Sequence, residues 1–390
     1  MWTRVEPRHG THVTSDIAIV GAGVVGLSIA FHLAERNSGR IVVYEREGIG
    51  AGASGVQPGG VRQQWSTRLN CVMARDSLGF YTRIGERLAP RVDPGFRACG
   101  YLFVAHEPKT LERLGRAVAL QNEVGVPSRL LSPDEAATIV PELRVDELVG
   151  AAFCAEDGYF DRPQGVVEAF AEAAGRLGVV VERREVSALE PVGSGWRLSF
   201  ADGTSGEARS VVVAAAVGTR ALLRPLGVDL PIAREDRWLF FGEPLSERFL
   251  EPLVVAPDRG FAAKQLADGR LLASDLEARD ADDGSQELWR GRVRAAMLEL
   301  LPRLEFVSLP QLVHGLYDVT PDHQAIVGPM PGHDSLFVAA GFSGHGFMMA
   351  PEIGKGVARM MLGEDPGDAF DTLRPERFER GRLDAESAVV

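Results

Sequence analysis

Apolar positions along this chain switch between a period of two and a period near 3.6, and the switches mark its elements. Residues 17–20 (IAIV) are a short β-rich run. Gly21, Gly23 and Gly26 follow directly, and Leu27, Ala30, Phe31 and Leu33 then recur at helical spacing. The next apolar run, RIVVYE, ends on Glu45. Strand, glycine turn, helix and strand predict one βαβ unit. Farther on, the pattern predicts a helix over 66–84 and a strand over 99–105. DRPQGVVEAFAEAAGRLG predicts a helix with Asp161 as N-cap, Pro163 in the first turn and Gly178 as terminator. GVVVERREVSALE reads as one strand. WRLSFADGTSGEARSVVVAAAVGT reads as a hairpin turned at Asp202 and Gly203, then a buried apolar strand. A further helix is predicted over 286–300. Near the end, GFSGHGFMMAP crowds three glycines around His345 before a last apolar run.

The first unit carries chemistry. Gly21 permits a tight turn, Gly23 lets a pyrophosphate approach the backbone, and Gly26 lets helix and strand pack closely. The helix N-terminus offers free N–H groups to phosphates. Glu45, at the end of the second strand, is placed to accept hydrogen bonds from an adenosine ribose. This points to a dinucleotide but leaves NAD and FAD both open. The loop after it, GAGASGVQPGGVRQQW, is rich in backbone N–H groups. It is equally an ordinary loop and a strip that runs beside a long cofactor, with Ser54 on a phosphate.

Composition removes other classes. The 390 residues are 45% hydrophobic and 25% charged, as in a globular protein with more than one domain. A net charge of −12 argues against a nucleic-acid binder. The three cysteines, Cys71, Cys99 and Cys154, are far apart and form no zinc or disulfide pattern. No apolar run reaches membrane-spanning length, and the start has no signal-peptide core. A cytoplasmic location is expected, with no membrane and no metal, and nothing fixes the oligomeric state.

Four stretches together resemble the D-amino-acid-oxidase superfamily. They are IAIVGAGVVGLSIAFHLAERNSGRIVVYERE, ASGVQPGGVRQQW, GLYDVTPDHQAIVG and VAAGFSGHGFMMAPEIGKGVA. The likeness is greatest to the branch of sarcosine oxidase, glycine oxidase and dimethylglycine dehydrogenase. It implies an α/β and α+β fold: a Rossmann-like FAD-binding domain interrupted by a substrate domain with a large mixed β-sheet. The FAD-binding parts are expected at 1–85, 151–220 and 315–390, the last with a C-terminal tail. The substrate domain is expected at 86–150 and 221–314. FAD would lie along Gly21, Gly23, Val24, Gly26, Glu45 and Arg46, then Ala53, Ser54, Gly59, Gly60 and Val61. Val186 would meet the adenine, and Ala215 and Gly218 would lie beside the cofactor. Gly315 and the stretch Gly341, Phe342, Ser343, Gly344, His345, Gly346, Phe347 and Met348 would surround the flavin. The helix begun there would aim its N-terminus at the pyrimidine carbonyls, where reduced flavin carries negative charge.

The resemblance implies oxidation of a C–N bond in a small amine or amino acid, with oxygen or another carrier as acceptor. Arg62, Tyr317 and Lys264 are the expected catalytic residues. His345 is expected to act through its backbone or a structural hydrogen bond, and His314 and His323 are expected to be structural. The departures are informative. Gly315 stands where relatives attach flavin through cysteine, and the early loop lacks the histidine that others use. Noncovalent FAD follows. Trp65 and Met348 replace an arginine and a lysine that hold substrate carboxylate, so a more apolar pocket is expected. The alternatives are a flavin oxidase of a 2-hydroxy acid and a flavin-bearing subunit with little activity alone. A nicotinamide dehydrogenase would leave GFSGHGF unexplained. A flavin monooxygenase would need a second nicotinamide-binding glycine motif.

Overall fold

The structure, a computed structural model, describes residues 13–279, 284–381 and 383–388. Two eight-stranded sheets organise it, and their strands alternate along the chain. In the first sheet, Val13–Val20 runs parallel to both Ile41–Glu45 and Ser205–Val213. Val180–Arg183 and Leu336–Ala340 extend the parallel run on its two sides. The hairpin of Val186–Val192 and Gly195–Phe200 pairs antiparallel onto the start of Ser205–Val213. The central strands are apolar on both faces because both faces are covered. On one side the helices Val24–Ala34, Arg68–Tyr81, Pro163–Arg176 and Gly346–Met361 share a core around Ile19, Val43 and Phe170. On the other side Ala18, Val20 and Tyr44 pack under the hairpin.

The second sheet has the order Gln311–Val319, Ala233–Pro244, Arg270–Asp275, Phe261–Gln265, Leu253–Ala256, Tyr101–Ala105, Gly150–Cys154, Arg129–Leu131. Its pairs are antiparallel except Leu253–Ala256 with Tyr101–Ala105. The helix Ser285–Leu300 covers one face through Trp289, Val293 and Met297, against Phe240 and Ala273. Alternation then turns Arg237 and Leu239 to the opposite face. A small sheet of Gly60–Val61, Gly158–Phe160 and Phe96–Arg97 lies apart from the two large ones.

The mixed α/β fold expected from sequence is present, with local corrections. Asp161 is not an N-cap: Arg162 holds that position, and Asp161 accepts from Arg97 Nε (2.7 Å) and Ala267 N (3.0 Å). A long-range ion pair has captured the carboxylate that local pattern assigns to the helix. GVVVERREVSALE is two strands, one parallel to Ile41–Glu45 and one in the antiparallel hairpin. The helix predicted over 66–84 is Arg68–Tyr81, and the one over 286–300 is Ser285–Leu300.

Two residues hold the start of the helix Arg68–Tyr81, one by capping it and one by binding the residues just before it. Thr67 is the N-cap and accepts from Asn70 N. Glu386, brought from the far end of the chain, accepts from Ser66 N (3.0 Å), Thr67 N (3.1 Å) and Asn70 Nδ2 (3.0 Å). Its residue is 1% exposed. Burial alone would raise its pKa, but the Ser66 hydroxyl, these N–H groups and nearby Arg62 hold it below the usual glutamate value. Such a carboxylate stabilises the fold above its unfolded pKa, and the contribution fades as pH falls through the folded one. Glu386→Ala is expected to lower stability by about 2 kcal/mol at pH 7, by leaving buried donors unmet. Urea unfolding checks this, and the gap from wild type should narrow below about pH 4.

Candidate active site

A cavity of about 600 Å³ opens where the carboxyl ends of the parallel strands meet the free face of the second sheet. Ligands of open α/β sheets occupy this kind of crevice. One part is lined by Gly21, Gly23, Val24, Glu45, Arg46, Ala53 and Ser54, with Val186, Ala215 and Gly218. Gly21 has φ +112°, and a Cβ there would fall 2.3 Å from the Ala214 carbonyl oxygen. Only glycine permits that approach. Ser54 Oγ accepts from Val24 N at 3.0 Å, which ties the following loop to the helix start. The Glu45 carboxylate is already aimed: it accepts from Ala22 N (2.9 Å) and Glu47 N (3.0 Å). Bare backbone, a helix N-terminus and an oriented acid on the next strand fit a dinucleotide.

The other part is lined by Gly315, Phe342, Ser343, Gly344, Gly346, Phe347 and Met348. Here the helix Gly346–Met361 begins, with His345 as N-cap. Gly344 has φ +92°, and a Cβ there would lie 2.3 Å from Cε2 of Tyr317. The loop must stay bare for the tyrosine ring to sit against it. Pro351 lies inside this helix and cannot donate to the carbonyl of Phe347. The Tyr81 hydroxyl donates to that carbonyl instead, at 2.5 Å. The carbonyl that the proline leaves without a helical donor is therefore satisfied. Asp318 fixes the loop from below by accepting from Gly341 N at 2.6 Å, and burial pushes its pKa up to about 6.

Arg62, Lys264 and Arg237 are among the basic residues that line the cavity. Arg62 is 1% exposed, and its guanidinium carbon lies 3.6 Å from the centre of the Trp65 ring. It donates to the carbonyls of Gln64 and Ala388. Lys264 is fully buried; its ammonium donates to the Pro58 carbonyl and lies 4.0 Å from the Tyr159 ring centre. Burial pulls its pKa down to about 7. Arg237 pairs with Glu235 and lies 5.1 Å from the centre of the Tyr317 ring.

Comparison with known proteins decides the class. A family profile described as FAD dependent oxidoreductase (DAO) matches residues 16–360. The chain belongs to the DAO family. It is an FAD-dependent oxidoreductase with a Rossmann-like cofactor fold. Among curated relatives of this DAO enzyme is the FAD-dependent oxidoreductase domain-containing protein 1 of Bos taurus. The two are 27% identical over 89% of this chain and 81% of the relative. Glycine oxidase of Geobacillus kaustophilus is 29% identical over 91% of this chain and 94% of its own length. Among solved structures, L-proline dehydrogenase from P. horikoshii superposes with a TM-score of 0.87. It is 26% identical and is covered in full by 96% of this chain.

Most residues singled out in the sequence of this DAO protein converge on the cavity, including Arg62, Trp65, Lys264, Tyr317 and Gly60. Gly26, Gly59, Val61, Gly341 and His345 stand behind its lining. Gly26 permits close packing, since a Cβ would fall 2.1 Å from the Gly21 carbonyl oxygen. Gly59 backs onto the Phe160 carbonyl, and Val61 pairs with Gly158. The His345 ring packs between Trp65 and Phe342, and burial lowers its pKa to about 4, so it is neutral. His314 pairs with Asp236 and packs on Trp238. Sequence reasoning missed Arg237 and Tyr101, which both line the cavity. An expectation of a more apolar pocket overlooked the first. Alternation in EDRWLFF was its signal, since Trp238 and Phe240 claim the core face.

Lys264 gives the cofactor-free protein a pH signature. Its ordinary pKa is 10.5 and its folded value about 7. Between those values the unfolded chain holds a proton that the folded one has released, so stability rises with pH. Lys264→Met should remove this rise and be more stable than wild type at pH 7, by at most about 5 kcal/mol. Unfolding curves at pH 7 and pH 9 check it.

Proposed function

We propose that this chain oxidises the C–N bond of a small amine or amino acid, with a secondary or N-alkyl amino acid favoured, and that its FAD is held noncovalently. Bound FAD supplies the hydride acceptor. The observation that carries the reading is the convergence of Arg62, Tyr317, Lys264 and the N-terminus of Gly346–Met361 on one end of the cavity. The helix start places N–H groups and positive dipole where negative charge would develop on reduction. Arg62 and Tyr317 orient the substrate's C–H bond, and positioning contributes much of the rate. Lys264, with a pKa near neutrality, holds or releases the proton that an ammonium substrate must lose. The imine product then hydrolyses in water. Gly315 leaves no sulfur beside Tyr317 for covalent attachment. Oxygen or another carrier takes the electrons.

Visible absorption of the purified protein, repeated after acid precipitation, tests the cofactor state. The flavin colour is expected in the supernatant, and colour in the pellet would overturn noncovalent binding. Glu45→Ala should weaken FAD retention. Arg62→Ala should stay yellow while anaerobic bleaching by N-methyl amino acids slows by about 100-fold. Wild-type protein that no amine or amino acid bleaches would sink the reading.

A further inference from the structure

The free face of the second sheet carries a cation whose hydrogen bonding is incomplete. Arg237 lines the cavity, and its side chain is 15% exposed. Its Nε and Nη1 are buried without a hydrogen-bond partner among the described residues. Its Nη2 faces Glu235, but Glu235 also meets Arg279 at 3.3 Å. One carboxylate between two guanidiniums leaves a positive charge in excess. Across the strand pair, Arg237 is registered opposite Gly315, and Tyr317 follows two positions on along the same face. The guanidinium thus lies beside the Tyr317 ring, at the end of the cavity where the late helix begins.

Buried guanidinium N–H groups left unmet are costly, and a ligand carboxylate is the group that best satisfies them. We propose that Arg237 binds the carboxylate of the substrate and makes the enzyme select amino acids over neutral amines. This rests on the reading of the cavity as an amine-oxidising site. It assigns to strand Ala233–Pro244 the anion binding that Trp65 and Met348 cannot provide. The excess charge also explains how a protein of net charge −12 admits an anion: the local field, not the overall charge, sets what enters.

The test uses the FAD-loaded protein and two probes of one shape, benzoate and benzamide, titrated while the flavin spectrum is followed. Wild type is expected to bind benzoate at least about 10-fold more tightly, as for a hydrogen bond to a charged group. Arg237→Met should bring the two affinities together, and Arg237→Gln, which keeps a polar side chain of similar length, should do the same. Wild type without that preference, or either variant retaining it, overturns the inference. Binding is read without turnover, so the two readings fail separately. Loss of the preference in a protein that oxidises no amine would sink the proposed reaction and leave Arg237 as a carboxylate site.

Discussion

The contact between helices Val24–Ala34 and Gly346–Met361 is the constraint on which the site depends. Ser28 Oγ donates to the Ala350 carbonyl at 2.8 Å, and a Cβ on Gly354 would fall 2.2 Å from that same oxygen. The two backbones meet where side chains would hold them apart. Both helices start at the cavity, one at Val24 and one at Gly346. Their close packing therefore fixes the spacing between two positive helix ends, from opposite ends of the sequence. A dinucleotide presents anionic phosphates at one point and a ring that gains negative charge at another. Two helix starts locked at a set separation suit such a ligand.

What the sequence makes legible follows from how local each signal is. The βαβ unit is encoded within one continuous stretch, by period, glycine spacing and Glu45, and it stands where those signals put it. The late glycine loop is legible for the same reason. Asp161 shows the limit: its position before Pro163 reads as a cap, yet Arg97 lies near enough in space to take its carboxylate. Local propensity loses when a charged partner is close. Arg237 was hidden differently. In a strand, a residue's face follows from alternation, but which face meets a cavity depends on the packing of another sheet and a helix. Glu386 was not legible at all, because nothing near it in sequence needs a carboxylate. The donors it satisfies lie at Ser66, Thr67 and Asn70.

Two cations of the site, Arg62 and Lys264, share a feature that bears on its chemistry. Arg62 is held by the carbonyls of Gln64 and Ala388, and Lys264 by the carbonyl of Pro58. A carbonyl satisfies a donor without cancelling its charge, as a carboxylate would. The cost appears in the lowered pKa of both groups, which burial causes first of all. A fold that only sought stability would pair these cations with acids or replace them with apolar residues. Keeping Arg62 buried and uncancelled preserves a positive field in a cavity of low dielectric, where it acts most strongly on a charge that forms during reaction, while Lys264 is left free to give up its proton near neutrality. Glu386 fits this account. It lies close enough to favour the charged form of Arg62, but its carboxylate is spent on N–H and hydroxyl groups at the start of Arg68–Tyr81. It steadies the chain segment whose Ala388 carbonyl meets Arg62, and it leaves the guanidinium's charge to the cavity.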